Sequence, residues 1–139
     1  MGHYLSDLIT KDLDGKYNEL TKRFGFHSDV LGCAVWVPIE FVCDMESVPL
    51  FRTTNKRAGV IHDYLCRIDA VPTVTKSLAA KVYLEAMTTR DKLYYHKRPW
   101  YFRSWLFVYR HFKSRVVRIA WGYWKKHRVF DTLNQIKGK

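Results

Sequence analysis

Two short segments of the chain hold the side chains whose types and spacing suit chemistry. Asp44 follows an apolar run in the first segment, residues 37–49, and His62 is followed directly by Asp63 in the second, residues 58–65. Adjacent residues on a helix point about 100° apart, so His62 and Asp63 would flank a common point without both facing it. If the preceding loop brings Asp44 to that point, an imidazole and carboxylate cluster forms.

Such a cluster has two chemical uses and one structural use. Asp44, His62 and Asp63 would ligate a divalent metal, with water in the open positions. Alternatively, His62 would act as a general base that a carboxylate orients. In the structural alternative, His62 hydrogen-bonds Asp44 and joins the loop to the helix without any reaction. The chain has no zinc-type spacing and no glycine-rich phosphate loop to favour one use.

The cysteines offer a third kind of chemistry. Cys43 directly precedes Asp44, and a pairing of Cys43 with His62 would create a thiol nucleophile. Free cysteines more often act as small buried hydrophobes, which is what we expect of Cys33, Cys43 and Cys66. An odd number of cysteines does not form a disulfide framework, so a reducing compartment is the simpler assumption.

The elements that position these residues are predicted to form an α+β fold. Aromatic and β-branched enrichment predicts strands within residues 16–27, 34–37 and 41–43. Pro49 favours an extended chain before it, so residues 44–49 are expected to be a loop. The predicted order is a small antiparallel sheet in the N-terminal half, followed by three helices.

The first two helices have clear start signals. Thr54 or Asn55 would cap a helix that begins near Lys56, and Thr73 or Thr75 would cap the next one. The apolar sides are Val60, Ile61, Tyr64, Leu65 and Ile68 in the first helix, and Leu78, Val82, Leu84 (or Tyr83) and Met87 in the second.

The third helix is predicted to be long, basic and amphipathic, from about Trp100 to Lys126. Placed at 100° per residue, its apolar side chains form one stripe and its cations lie on the far side. Such a stripe more often packs on the core than binds a partner. The stripe is Trp105, Tyr109, Phe112, Val116, Ile119 and Tyr123, and the far side is Arg103, Arg110, Arg118 and Lys125.

Length and composition indicate one small domain, residues 1–139. Hydrophobic residues make up 47% of the chain, which is enough for a core and excludes wholesale disorder. No run approaches the roughly 18 to 20 apolar residues of a membrane-spanning helix. The first residues lack the apolar stretch of a secretory signal. We therefore expect neither a transmembrane helix nor a signal peptide.

The positive charge is concentrated in the C-terminal third. Residues 1–89 hold ten basic against eleven acidic residues, whereas residues 90–139 hold fourteen basic against two acidic ones, and four of the five tryptophans. This region would attract nucleic acid, an anionic membrane surface or an acidic protein face. Its many apolar residues favour protein or membrane contact over nucleic acid. The candidate partner-binding residues are Trp100, Arg103, Arg110, Arg118, Trp121, Trp124, Lys125, Lys126 and Arg128.

Three ordered motifs lie in the middle of the chain. Residues 37–49 have the sequence VPIEFVCDMESVP, residues 58–65 AGVIHDYL, and residues 79–87 AAKVYLEAM. They resemble the successive signatures VP-x-G-F-x-T-D-x-x-S-x-P, A-x-x-x-H-D-Y-L and A-D-x-x-F-x-x-A-M of the DUF1353 family, small proteins encoded mainly by phages and prophages. The resemblance covers about residues 17–120. It implies a shared fold and a phage-related origin, with the protein in the host cytoplasm or the virion.

The chain departs from this family pattern at several positions. Glu40 replaces the motif glycine, Cys43 replaces the threonine, and Ala80 replaces the acidic residue of the third motif. If the family site needs that acid, the resemblance implies a relative without activity, unless Glu85 or Asp69 substitutes for it.

Two functions are compatible with these residues. The first is a virion or host-interaction protein that binds a protein partner, such as another subunit of a phage assembly, through its basic aromatic helix. The second is a hydrolase in which Asp44, His62 and Asp63 hold a divalent metal or perform acid–base chemistry on an anionic substrate such as cell wall or nucleic acid. Ala80 and the composition of the C-terminal third favour the first.

Overall fold

A computed structural model describes residues 2–13, 17–43, 56–119 and 124–131 of the chain. Within these ranges, short strands in the N-terminal half precede three helices, so the predicted α+β class is confirmed. The elements are β1 (His3–Tyr4), β2 (Thr10–Asp12), β3 (Asn18–Leu20), β4 (Phe24–Ser28), β5 (Cys33–Val37), β6 (Val42–Cys43), α1 (Lys56–Leu65), α2 (Lys76–Tyr95) and α3 (Trp100–Ile119).

The described strands form two antiparallel sheets, in the orders β1-β4-β5 and β2-β3-β6. β4 and β5 form a hairpin in which Phe24 lies opposite Val37. Gly32 in its turn has a φ of 69°, a left-handed conformation that glycine adopts without steric cost. The single strand expected within residues 16–27 is divided into β3 and β4, because the chain passes from one sheet to the other between them.

The core lies where α1 and α2 pack on each other and on the strands. α1 contacts β5, and α2 contacts β4. Removing one such large apolar side chain from water contributes roughly 1.5–3 kcal/mol. The largest fully buried apolar side chains are Leu20, Phe24, Phe26, Val35, Val37, Phe41, Val42, Val60, Ile61, Leu65 and Met87.

Local signals predict α1 and α2 well. α1 begins at Lys56, and Thr75 caps α2 because its Oγ1 accepts a hydrogen bond from the Leu78 amide at 3.2 Å. The predicted apolar sides are buried or half-buried, with one exception. Ile68 is exposed, because α1 ends at Leu65 and the chain turns away. The alternative caps Thr54 and Asn55 lie outside the described residues.

The side of α3 that packs on the body differs from the side that the sequence predicts. Its buried residues are Leu106, Lys113 and Val117. Trp105, Phe112 and Ile119 of the predicted stripe are 54–62% exposed, and Tyr109 and Val116 are half-buried. The expectation that this stripe packs on the core is therefore wrong for Trp105, Phe112 and Ile119, and Tyr123 lies outside the described residues.

Polar contacts between α2 and α3 explain this orientation. Arg110 Nη1 donates to Asp91 Oδ2 at 2.9 Å, and Arg90 Nη1 donates to Asp91 Oδ1 at 3.3 Å. Ser114 Oγ also donates to the Ala80 carbonyl at 3.0 Å. Asp91 is only 4% exposed. A carboxylate buried without cations costs several kcal/mol. The rotation of α3 that places Arg110 over Asp91 is therefore stabilised, although it leaves aromatic side chains in water.

Replacing Arg110 by leucine should lower the free energy of unfolding by about 3 kcal/mol, because Asp91 would stay buried beside Arg90 alone. Arg103→Leu is the matched control on the same helix, since Arg103 is exposed, and its effect should stay within about 0.5 kcal/mol. Urea denaturation measures both values. Equal effects of the two substitutions would contradict the proposed role of the ion pair.

Glu40, between β5 and β6, has a strained backbone. Its φ is 69°, which costs a residue with a Cβ atom roughly 1–2 kcal/mol. Its amide still donates to the Leu20 carbonyl at 2.9 Å, so the turn is held by the sheet. The left-handed conformation gives a physical reason for the glycine that the resembling motif has at this position.

Glu40→Gly should therefore raise the free energy of unfolding by about 1 kcal/mol. Glu40→Ala removes the same charge but keeps the Cβ atom, so we expect no comparable gain from it. Urea denaturation of both variants separates backbone strain from charge. The explanation fails if the alanine variant is as stable as the glycine variant.

Candidate functional site

His62 lies in the last turns of α1 and packs against α2. Its ring centroid is 5.1 Å from that of Tyr83, and both ring nitrogens lie 3.7 Å from Cys66 Sγ. The residue is half-buried. Burial, with a smaller effect of the Lys76 charge, lowers the pKa of His62 to about 4. The imidazole is therefore neutral at pH 7. It has a lone pair to donate, but it is a weak proton acceptor.

The thiol beside this imidazole is not an activated nucleophile. Burial first, and then the charge of Asp63, raise the pKa of Cys66 to about 12. A nucleophilic cysteine needs a lowered pKa. Cys43 is buried in β6 among core side chains, and Cys33 is half-buried. None of these three cysteines forms a disulfide bond in the described part of the chain. Cys43 is therefore placed as a small core hydrophobe, as expected.

The predicted cluster of Asp44, His62 and Asp63 is only partly described. His62 and Asp63 are both half-buried on α1, whereas Asp44 lies outside the described residues. The contact between Asp44 and His62, and the metal site that depends on it, therefore stay predictions. Within the part of the chain that the structure describes, no three His, Cys, Asp or Glu side chains are grouped to hold a metal ion.

Glu85, a candidate for the missing acid, forms an anchor for the N-terminal strand region. Its carboxylate accepts hydrogen bonds from the Gly2 amide at 2.9 Å, the Ser28 hydroxyl at 2.5 Å and the Asp29 amide at 2.8 Å. These donors all lie at one end of the β1–β4 pair, and they join that end to α2. The oxygens of Glu85 thus stabilise the fold.

Asp69, the other candidate, holds the chain that follows α3. Its Oδ1 accepts the Val129 amide at 2.7 Å. Lys125 Nζ donates to the carbonyls of Leu65 at 3.3 Å and Arg67 at 3.1 Å, at the C-terminal end of α1. Burial lowers the pKa of Lys125. Both side chains therefore join the C-terminal region to α1.

The solvent-facing side of α3 is the second candidate site. We call it the outer face of α3. Seven large apolar side chains on it are 54–73% exposed. No helix in the described ranges is both long enough and apolar enough to cross a membrane. The seven residues are Trp100, Tyr101, Trp105, Phe107, Val108, Phe112 and Ile119, and the exposed cations beside them are Arg103, Arg115 and Arg118.

The predicted partner-binding residues separate into two groups. Arg110 pairs with Asp91, Lys125 caps α1, and Trp124 is half-buried against the core, so these three act within the fold. Trp121 lies outside the described residues. The exposed members are Trp100, Arg103, Arg118, Lys126 and Arg128.

Several residues of the outer face are absent from the predicted set. Tyr101, Phe107, Val108 and Arg115 are all exposed, but α3 is apolar on more than one side, so periodicity does not identify its outer side. The sequence feature that could have identified the buried side of α3 is Asp91. It is one of only two acids in a strongly basic region, and a helix packed on it must offer a cation.

The described part of the chain is thus an α+β protein with short antiparallel strands followed by three helices. The family model described as "Protein of unknown function (DUF1353)" matches residues 18–103, more than half of the chain. The chain belongs to the DUF1353 family. No curated protein and no solved structure matches it. The family match ends four residues into α3, so most of the outer face lies beyond it.

The free energy of unfolding should depend on pH through His62. The ordinary pKa of 6.5 applies in the unfolded chain, and the folded value is about 4. Above pH 6.5 neither state is protonated and the histidine has no effect. As the pH falls from 6.5 to 4, only the unfolded state gains the proton, which lowers stability by about 3 kcal/mol. His62→Gln should lack this contribution in urea denaturation at pH 7 and pH 4.

An NMR titration of the histidine ring checks the cause. A pKa near 6.5 for His62 in the folded protein would contradict its burial. Asp44→Asn tests the predicted loop contact separately, because a carboxylate against the ring raises its pKa. If that contact forms, the pKa of His62 is lower in the Asp44→Asn variant than in the unsubstituted protein. An unchanged pKa would show that position 44 does not contact the ring.

Proposed function

We propose that this DUF1353 protein is a non-enzymatic, phage-type accessory or host-interaction protein that binds its partner through the outer face of α3. It would act in the host cytoplasm or the virion. The observation that supports this function is the exposure of seven large apolar side chains on that face. Contiguous exposed apolar surface of this kind is typical of an interaction site.

The charges around α3 support a binding surface as well. The two acidic residues between positions 90 and 139 are Asp91 and Asp131. Asp91 is buried between Arg90 and Arg110, and Asp131 Oδ2 accepts the Arg128 amide at 2.6 Å. Neither acid offsets the cations of the outer face, so this face attracts an anionic partner.

The hydrolase alternative has weaker support. His62 is neutral and poorly basic, and the Cys66 thiol is protonated at pH 7. Glu85 and Asp69 hold the N-terminal and C-terminal regions in place through backbone hydrogen bonds. With Ala80 at the position of the motif acid, the described residues favour a structural role for His62. The phage origin depends on the family resemblance.

The double variant Trp105→Ala/Phe112→Ala should keep the fold and lose binding, because both side chains are exposed and alanine maintains the helix. The control is Ile39→Ala/Ile68→Ala, which removes two similarly exposed apolar side chains outside α3. Each protein is mixed with the lipid, nucleic-acid and protein fractions of a bacterial host extract. Co-sedimentation or pull-down measures the bound amount in each fraction.

We expect one fraction to bind the unsubstituted protein and the control, and to bind the α3 double variant at least tenfold less. Circular dichroism and thermal unfolding verify that all three proteins are folded. The proposed function is refuted if no fraction distinguishes the double variant from the control.

A further inference from the structure

We infer that the occupant of the outer face of α3 is an anionic lipid surface, with the helix lying in the plane of the membrane interface. This inference rests on the proposed function and names its partner. Amphipathic helices of this kind bury aromatic and aliphatic side chains at the boundary between headgroups and acyl chains, while Arg and Lys contact lipid phosphates.

The arrangement of apolar side chains matches an interfacial helix. Tyr101, Trp105, Val108, Phe112 and Ile119 fall within about 60° of one another at 100° per residue. They extend along nearly the whole of α3 on a side that the core does not cover. The set includes aliphatic Val108 and Ile119, which enter lipid readily but give a nucleic-acid base nothing to stack on.

Ring contacts within the helix reduce the ring area that is open to base stacking. The Trp105 and Tyr109 rings are stacked on each other, 5.0 Å between centroids and 11° from parallel. Phe107 and His111 are 4.1 Å apart between centroids. Trp105 and Tyr109 thus cover one face of each other, and the paired rings form a broad apolar surface. Such a surface can insert into a membrane interface, where Trp and Tyr are enriched.

The cations of the outer face give the charge complementarity. Seen down the helix axis at 100° per residue, Arg115 lies about 20° from Val108 at the edge of the apolar set, Arg118 about 80° and Arg103 about 140°. All three are exposed. A membrane with acidic lipids presents many phosphates above an apolar interior, so it satisfies the cations and the stripe together. A second copy of the chain fits less well, because the formal net charge is +11 and two such faces repel.

Co-sedimentation of the full chain with large vesicles tests the inference. Vesicles of phosphatidylcholine with 30% phosphatidylglycerol should bind the protein, and pure phosphatidylcholine vesicles should bind it at least tenfold more weakly. The triple variant Arg103→Gln/Arg115→Gln/Arg118→Gln should reduce the affinity for the acidic vesicles on the order of 100-fold. Each cation near such a surface contributes about a factor of five to the affinity. Trp105→Ala/Phe112→Ala should reduce it at least tenfold.

A matched charge control separates local attraction from net charge. Lys22→Gln/Lys56→Gln/Lys81→Gln removes three exposed cations outside α3, and it should change the affinity less than fivefold. Equal losses in the two triple variants would overturn the inference, because they would show attraction by net charge alone. Equal binding to both vesicle types would overturn it as well.

Two further measurements distinguish the other occupants. A single-stranded 20-nucleotide probe that binds while acidic vesicles do not would assign the face to nucleic acid. A dimer in analytical ultracentrifugation that Trp105→Ala/Phe112→Ala dissociates would assign it to a second copy. Either result refutes the lipid inference and leaves binding through α3 intact. If the unsubstituted protein binds neither vesicles nor any extract fraction, both the lipid inference and the proposed function are refuted.

Discussion

The buried carboxylate of Asp91 is the constraint on which the arrangement of the helices depends. It lies on α2, where α3 packs, and it needs cations because a lone charge in such a place is very costly. Arg90 supplies one from the same helix, and Arg110 supplies the other from α3. The Arg110–Asp91 ion pair therefore favours one rotation of α3 about its axis. Leu106, Lys113 and Val117 face the body, and the outer face of α3 faces solvent.

Because of this constraint, the molecule consists of a packed body and the exposed outer face of α3. The body contains His62, whose burial keeps it neutral, and the anchors Glu85 and Asp69, whose carboxylates accept backbone amides. Most of the outer face of α3 lies beyond the DUF1353 match, which ends at residue 103. The family match therefore covers much of the body, whereas the function that we propose rests on the charge and aromatic content of α3.

Local patterns predict the helices better than the strands. The Thr75 cap of α2 follows from neighbouring residues, because helical hydrogen bonds and caps are made within a few positions. β1 and β2 are two and three residues long, and their pairing with β4 and β3 is chosen by contacts across the fold. Strands this short have no alternation that a sequence pattern can reveal.

The amino-acid sequence by itself determined the α+β class, the family, the basic aromatic C-terminal third and the position of His62 on a helix. These properties depend on composition, local periodicity and motif order. Only the tertiary structure decided which side of α3 is exposed, and that Arg110, Trp124 and Lys125 serve the fold. The reason is that α3 has apolar residues on more than one side. An ion pair between two helices, and not the periodicity of one, selects the side that is buried.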